Sequence, residues 1–126
     1  MAEHNDTGAA GEQLASKYLR TKGYEILDRN WRHSKHELDI VARDGKYVVI
    51  VEVKTRSNDL YGQPEEAVKP GKRAKLIKAA NAYIAELPGE LTLRFDIISV
   101  ILHPSGKPYL HHIEDAFYPT IHDRPQ

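Results

Sequence analysis

Glu37-Leu38-Asp39-Ile40-Val41-Ala42-Arg43, then Asp44-Gly45, then Lys46-Tyr47-Val48-Val49-Ile50-Val51-Glu52-Val53-Lys54 is the stretch whose reading decides this chain. It reads as two strands with charges where a strand normally buries apolar groups. Side chains alternate faces along a strand, so Glu37 and Asp39 share a face, as do Val48, Ile50, Glu52 and Lys54. A face that begins apolar and ends in a carboxylate and an ammonium is costly unless the charges are paired or hold a metal. Asp-Gly between apolar runs is a strong hairpin signal, so the two strands are expected to be antiparallel neighbours.

With Asp44 and Gly45 as the turn, Arg43 pairs with Lys46, Asp39 with Ile50, and Glu37 with Glu52. Asp39 and Glu52 are then diagonal neighbours on one face, roughly 5–8 Å apart between Cβ atoms. Carboxylates that close repel, and one pKa rises unless a cation lies between them. A divalent ion does this, and carboxylate oxygens are the ligands Mg²⁺ prefers. Glu37, opposite Glu52, is placed in a supporting role.

The rest of the chain frames the hairpin. Its 126 residues suit one domain, with residues 1–7 a flexible N-terminus, 8–117 the domain and 118–126 a tail. No run is long and apolar enough to span a membrane, and the N-terminus lacks the marks of a secretory signal. The chain has no cysteine, which excludes disulfides and thiolate chemistry and fits a cytoplasmic setting. Eighteen basic residues balance 18 acidic ones, so any nucleic-acid contact must come from a local basic patch beside an acidic site.

A helix is expected over residues 8–22. Its stripe is Leu14, Ala15, Tyr18 and Leu19, with Gly23 as C-cap. Glu12 borders the buried face and reads either as a solvated first-turn acid or as a site acid. Residues 24–32 alternate as a strand. Arg29, Arg32, His33, Lys35 and His36 read as a basic turn, either solvated or touching phosphates. Residues 56–68, including Gln63, form a long connection of the kind often found beside a site, and Gln63 is a supporting candidate. Residues 70–87 give a helix with the stripe Leu76, Ile77, Ala80, Tyr83, Ile84 and Leu87. Its first half carries Lys69, Lys72, Arg73, Lys75 and Lys78 with no acid among them, which favours an anion-facing surface. Residues 91–102 form an interior strand, in which Asp96 reads as a structural acid, and residues 108–114 a weaker one. His111 and His112 face opposite sides and cannot chelate one metal together.

Phosphate-loop, dinucleotide-binding and nucleophile-elbow signatures are absent. The remaining pattern suits metal-assisted phosphodiester hydrolysis. Asp39, Glu52 and the carbonyl of Val53 would hold Mg²⁺ or Mn²⁺, and the ion would activate a water. Lys54 would orient that water or stabilise developing charge. The neighbouring carboxylates favour its charged form, so it is not read as a base.

Asp39…Glu52-Val53-Lys54 resembles the PD-(D/E)xK nuclease core of restriction endonucleases and archaeal Holliday-junction resolvases, with Glu-Leu-Asp here lacking the proline. Further features are Gly8-x-x-Gly11-Glu12, Gly23-Tyr24-x-Ile26-Leu27-x-Arg29-Asn30, Val51 through Arg56, and Arg94-Phe95-Asp96-Ile97. With these, residues 8–117 are similar to the YraN-like family of uncharacterised bacterial proteins. The resemblance implies an α/β, restriction-endonuclease-like mixed sheet of about five strands flanked by helices, in the order α-β-β-β-α-β-β. It also implies a site role for Glu12, as in the resolvases. The expected function is a Mg²⁺-dependent DNA endonuclease acting on branched or recombining DNA. Arg29, Arg32, Arg56, Lys69, Lys72, Arg73 and Lys75 are the expected nucleic-acid contacts. Symmetric cutting of two strands would require a homodimer. The alternatives are a non-catalytic nucleic-acid-binding module of the same fold, and a structural role in which Glu52 and Lys54 form buried ion pairs with Asp39 or Arg56.

Overall fold

The β-branched run Val48-Val49-Ile50-Val51 sits in the middle strand of a mixed five-stranded sheet, ordered β1-β2-β3-β4-β5. The computed structural model describes residues 2–56, 70–104 and 106–117, with side chains from residue 8 in the first segment and residue 71 in the second. The strands are β1 (Glu25–His33), β2 (His36–Asp44), β3 (Tyr47–Arg56), β4 (Thr92–Ile101) and β5 (Tyr109–Phe117); the helices are α1 (Ala2–Thr21) and α2 (Pro70–Ile84). The order is the expected α-β-β-β-α-β-β. Neighbouring strands are antiparallel except β3 and β4, which are parallel. A parallel pair needs a long crossover, and α2 lies within it. β4 lies between two strands and is buried from Arg94 to Val100, as its two apolar faces predict.

The helices cover opposite faces. Leu76, Ile77, Ala79, Ala80 and Tyr83 of α2 pack on Leu38, Val41, Val48, Ile50 and Phe95. Ala15 and Leu19 of α1 pack on Ile40, Ala42, Val49, Val51, Ile98 and Val100. The approach of α1 is very close at Gly11, where a Cβ would stand 1.9 Å from Thr55 Oγ1. α1 ends as the sequence predicts. Gly23, at φ +95°, donates to Arg20 O, and Tyr24 N donates to Leu19 O, the paired bonds of a Schellman cap. Its start differs: the helix runs from Ala2 rather than from residue 8. The tail at residues 118–126 lies outside the described residues.

The central hairpin differs in register. Asp44 pairs with Tyr47 and Val41 with Ile50, so Gly45 and Lys46 form the turn rather than Asp44 and Gly45. Gly45 takes the left-handed conformation the turn requires, at φ +60°. A shift of two residues preserves every face. The ladder ends at Ile40↔Val51, and one further step sets Asp39 across from Glu52, rather than from Ile50. Alternation in β2 also breaks at Asp39, since Leu38 packs against α2 but Ile40 on the α1 side. The basic turn is shorter than expected. Only Ser34 and Lys35 lie between the paired His33 and His36, and Arg29 and Arg32 belong to β1.

Candidate functional site

The α2-facing stripe of β3 runs from Val48 and Ile50 into Glu52, which is 6% exposed. A carboxylate that buried needs cations. Lys54 Nζ lies 3.3 Å from Glu52 Oε1, and Lys72 Nζ, from the first turn of α2, lies 2.5 Å from the same oxygen. The expected partners Asp39 and Arg56 do not fill this role. Lys72, read from sequence as a phosphate contact, neutralises a site acid.

Asp39 stands where the β2–β3 ladder stops. Its Oδ2 accepts the Val53 N–H at 2.9 Å, satisfying a donor left without a ladder partner. Burial and the charge of Glu52 push the Asp39 carboxyl up to about 7, against the pull of the Val53 bond. Glu12 is also raised, first by burial and further by Glu37 and Glu52, while Asn30 and Arg29 oppose the shift. Glu12 thus lies within electrostatic reach of Glu37 and Glu52. The Gly11–Thr55 approach brings the first helix onto β3 three residues past Glu52. The role of Asn30 was not legible in the sequence.

Lys54 corrects the sequence argument. Its pKa is lowered, first by burial and also by the neighbouring Lys72, although Glu52 pulls the other way. Adjacent carboxylates alone do not set its sign, because burial, and after it the like charge of Lys72, act against them, and sequence spacing reveals neither.

Asp39, Glu52 and Lys72 open onto a cleft of about 660 Å³ that Lys35, His36, Glu37, Gly71, Lys75 and Leu76 also line. One wall comes from the β1–β2 hairpin and the other from the start of α2. Of the expected basic contacts, Lys72 and Lys75 line this cleft. Arg73 instead carries its guanidinium over the Phe117 ring, 5.7 Å from the centroid. Arg29 lies 4.0 Å from Glu12, and Arg32 pairs with Glu37 at 3.2 Å. Arg56 ends β3 with a buried Nε that has no hydrogen-bond partner. Gln63 and Lys69 lie outside the described residues. Lys35 and His36 belong to the basic turn noted in the sequence, and only the fold turns them to the acids.

Among the described residues, no group of three or more His, Asp or Glu side chains is arranged to hold a metal ion. Mg²⁺ does not require one. It keeps several waters and is commonly held by one or two carboxylates, so Asp39 and Glu52 fit its chemistry. Burial, and after it the charge of Glu52, raise the Asp39 carboxyl, and a cation held between the two would oppose both effects.

Asp96 is structural, as its sequence context suggested. Its carboxylate accepts from Arg94 Nε at 3.0 Å, Arg94 Nη2 at 2.9 Å and the Asp115 N–H at 3.0 Å, and lies 2.7 Å from His112 Nε2. Arg94 also reaches Asp44 and Tyr24. This network sits against α1, apart from the cleft.

The fold and site define a restriction-endonuclease-like α/β domain with two carboxylates and a lysine at the end of its central hairpin. The chain belongs to the Uncharacterised protein family UPF0102, the YraN-like family, whose profile matches residues 11–100. It is 50% identical over 121 residues to a UPF0102 protein of Bacteroides thetaiotaomicron, covering 96% of this chain and 99% of that one. A UPF0102 protein of Christiangramia forsetii is 47% identical over 118 residues, covering 94% and 98%. One from Flavobacterium psychrophilum is 48% identical over 119 residues, also covering 94% and 98%. None of these names states an activity. No helix among the described residues is long and apolar enough to cross a membrane.

Proposed function

We propose that this protein is a divalent-cation-dependent DNA endonuclease that hydrolyses phosphodiester bonds in branched DNA. One observation carries the reading: Asp39 and Glu52 line one cleft, with Lys54 on the buried Glu52 carboxylate. In this reading Asp39 and Glu52 hold Mg²⁺ or Mn²⁺, with the Val53 carbonyl as a third donor. Bound there, such an ion would polarise the phosphate and lower the pKa of a water.

The chain's own groups do the rest. Asp39 is kept in position by the Val53 N–H. Lys54, held 3.3 Å from Glu52, orients the attacking water or stabilises developing charge. Glu12 adds a third acid at the margin of the site. Lys35, His36 and Lys75 offer donors to phosphates on either side of the scissile bond. A second copy of the chain would supply the other active site for paired cuts across a junction.

The test is cleavage of labelled linear, flapped and four-way-junction DNA with Mg²⁺ or Mn²⁺, alongside Asp39→Ala and Glu52→Ala. The expected result is cutting by the wild type and none by either variant. Binding without cutting would support a nucleic-acid-binding module instead. Cutting by both variants would remove this site from the reaction.

A further inference from the structure

Glu52 Oε1 carries two ammonium groups, Lys54 at 3.3 Å and Lys72 at 2.5 Å. Their settings differ. Lys54 comes from the same strand, and its side chain is 19% exposed, whereas that of Lys72, from α2, is 45% exposed and also lines the cleft. Together they bring to one carboxylate the charge of one divalent cation. An ammonium and a divalent ion compete for the same oxygen, and the exposed member of the pair has open space to move into.

We infer that Lys72 is the removable half of this pair. It neutralises Glu52 while no divalent cation is bound, yields the carboxylate when the ion arrives, and then presents its ammonium to a substrate phosphate in the cleft. This rests on the reading of Asp39 and Glu52 as cation ligands. It assigns Lys72 two effects of opposite sign. Losing it removes a competitor for the ion and also removes a donor for the substrate. A salt bridge that only braces α2 against β3 would not give the second effect.

The test titrates the full chain with manganese chloride by calorimetry, without nucleic acid, for wild type, Lys72→Met, Lys72→Gln and Lys75→Met. Lys75 lines the same cleft without an ion pair to Glu52 among the described contacts, so it controls for a general change of charge. Both Lys72 variants are expected to bind Mn²⁺ about tenfold tighter than wild type, the scale of one lost charge-assisted contact. Lys75→Met is expected to stay within about threefold. At saturating Mn²⁺ the Lys72 variants are expected to bind and cut DNA more weakly. Unchanged or weaker Mn²⁺ affinity in the Lys72 variants, or an equal gain in Lys75→Met, would overturn the inference. If wild type still cuts DNA, the nuclease reading survives that outcome. Failure of the wild type itself to bind Mn²⁺ would overturn both.

Discussion

The Val53 N–H donates to Asp39 Oδ2 at 2.9 Å, where the β2–β3 ladder ends at Ile40↔Val51. A carboxylate thus takes the place of a backbone carbonyl, and the Val53 N–H fixes the acid beside Glu52. The bond stabilises the ionised form, yet burial and Glu52 outweigh it and hold the carboxyl near 7.

Stability without divalent cations is therefore expected to depend on pH through Asp39. Its folded pKa, about 7, lies above the ordinary value of 3.8, so the native state holds a proton that the unfolded chain releases in between. The stabilisation is present below the ordinary value and is lost as pH rises through about 7. Thermal melts in chelator from pH 4 to 8 are expected to show a fall for the wild type that is flatter in Asp39→Asn. Parallel curves would mean that the acid titrates normally.

Asp96→Ala is expected to cost roughly 3–5 kcal/mol, because it leaves Arg94 buried without its main partner. Burial alone would raise the Asp96 carboxyl, but bonds from His112 and Arg94 hold it below its ordinary value. Its contribution is present above the ordinary value of 3.8 and lost as pH falls through the lower folded value. Urea unfolding measures the cost, and Mn²⁺ affinity at the cleft is expected to be little changed in the folded fraction.

Gly11→Ala tests the seat of α1. Alanine favours a helix by about 1 kcal/mol over glycine. Here its Cβ would stand 1.9 Å from Thr55 Oγ1, so the helix must move. Net destabilisation of about 1–3 kcal/mol is expected. Adding Thr55→Ala should recover part of it, because the Thr55 Cβ remains 2.9 Å away. A Gly11→Ala protein as stable as wild type would mean that α1 does not approach so closely.

Nucleic-acid binding is expected to weaken steeply with salt. Lys35→Ala and Lys75→Ala, on the two walls of the cleft, should each lower the slope of log K against log salt by about 1. Arg73→Ala should leave it unchanged, since that guanidinium lies over Phe117. Fluorescence anisotropy across a salt series measures all three.

Strand alternation was enough to put Glu52 and Lys54 on one face of β3, because side-chain facing in a regular strand is a local property with a period of two, whereas β2 breaks that alternation at Asp39. The register was missed by two residues, since both Asp44-Gly45 and Gly45-Lys46 form short turns and only cross-strand pairing separates them. The face of each β3 residue survived that error because a two-residue shift preserves the pleat.

The sequence by itself determined the order of elements, the apolar stripes of both helices and the placing of acids and a lysine on the hairpin strands. Those follow from short-range periodicity and residue type. Only the tertiary structure decided that Lys72 reaches Glu52 while Arg73, its neighbour, turns to Phe117. It also decided that Glu12 lies within electrostatic reach of Glu37 and Glu52, and that burial lowers the Lys54 pKa. Each of these depends on how a helix is rotated and seated on the sheet. Packing among residues distant in sequence sets that position, and no local pattern carries it.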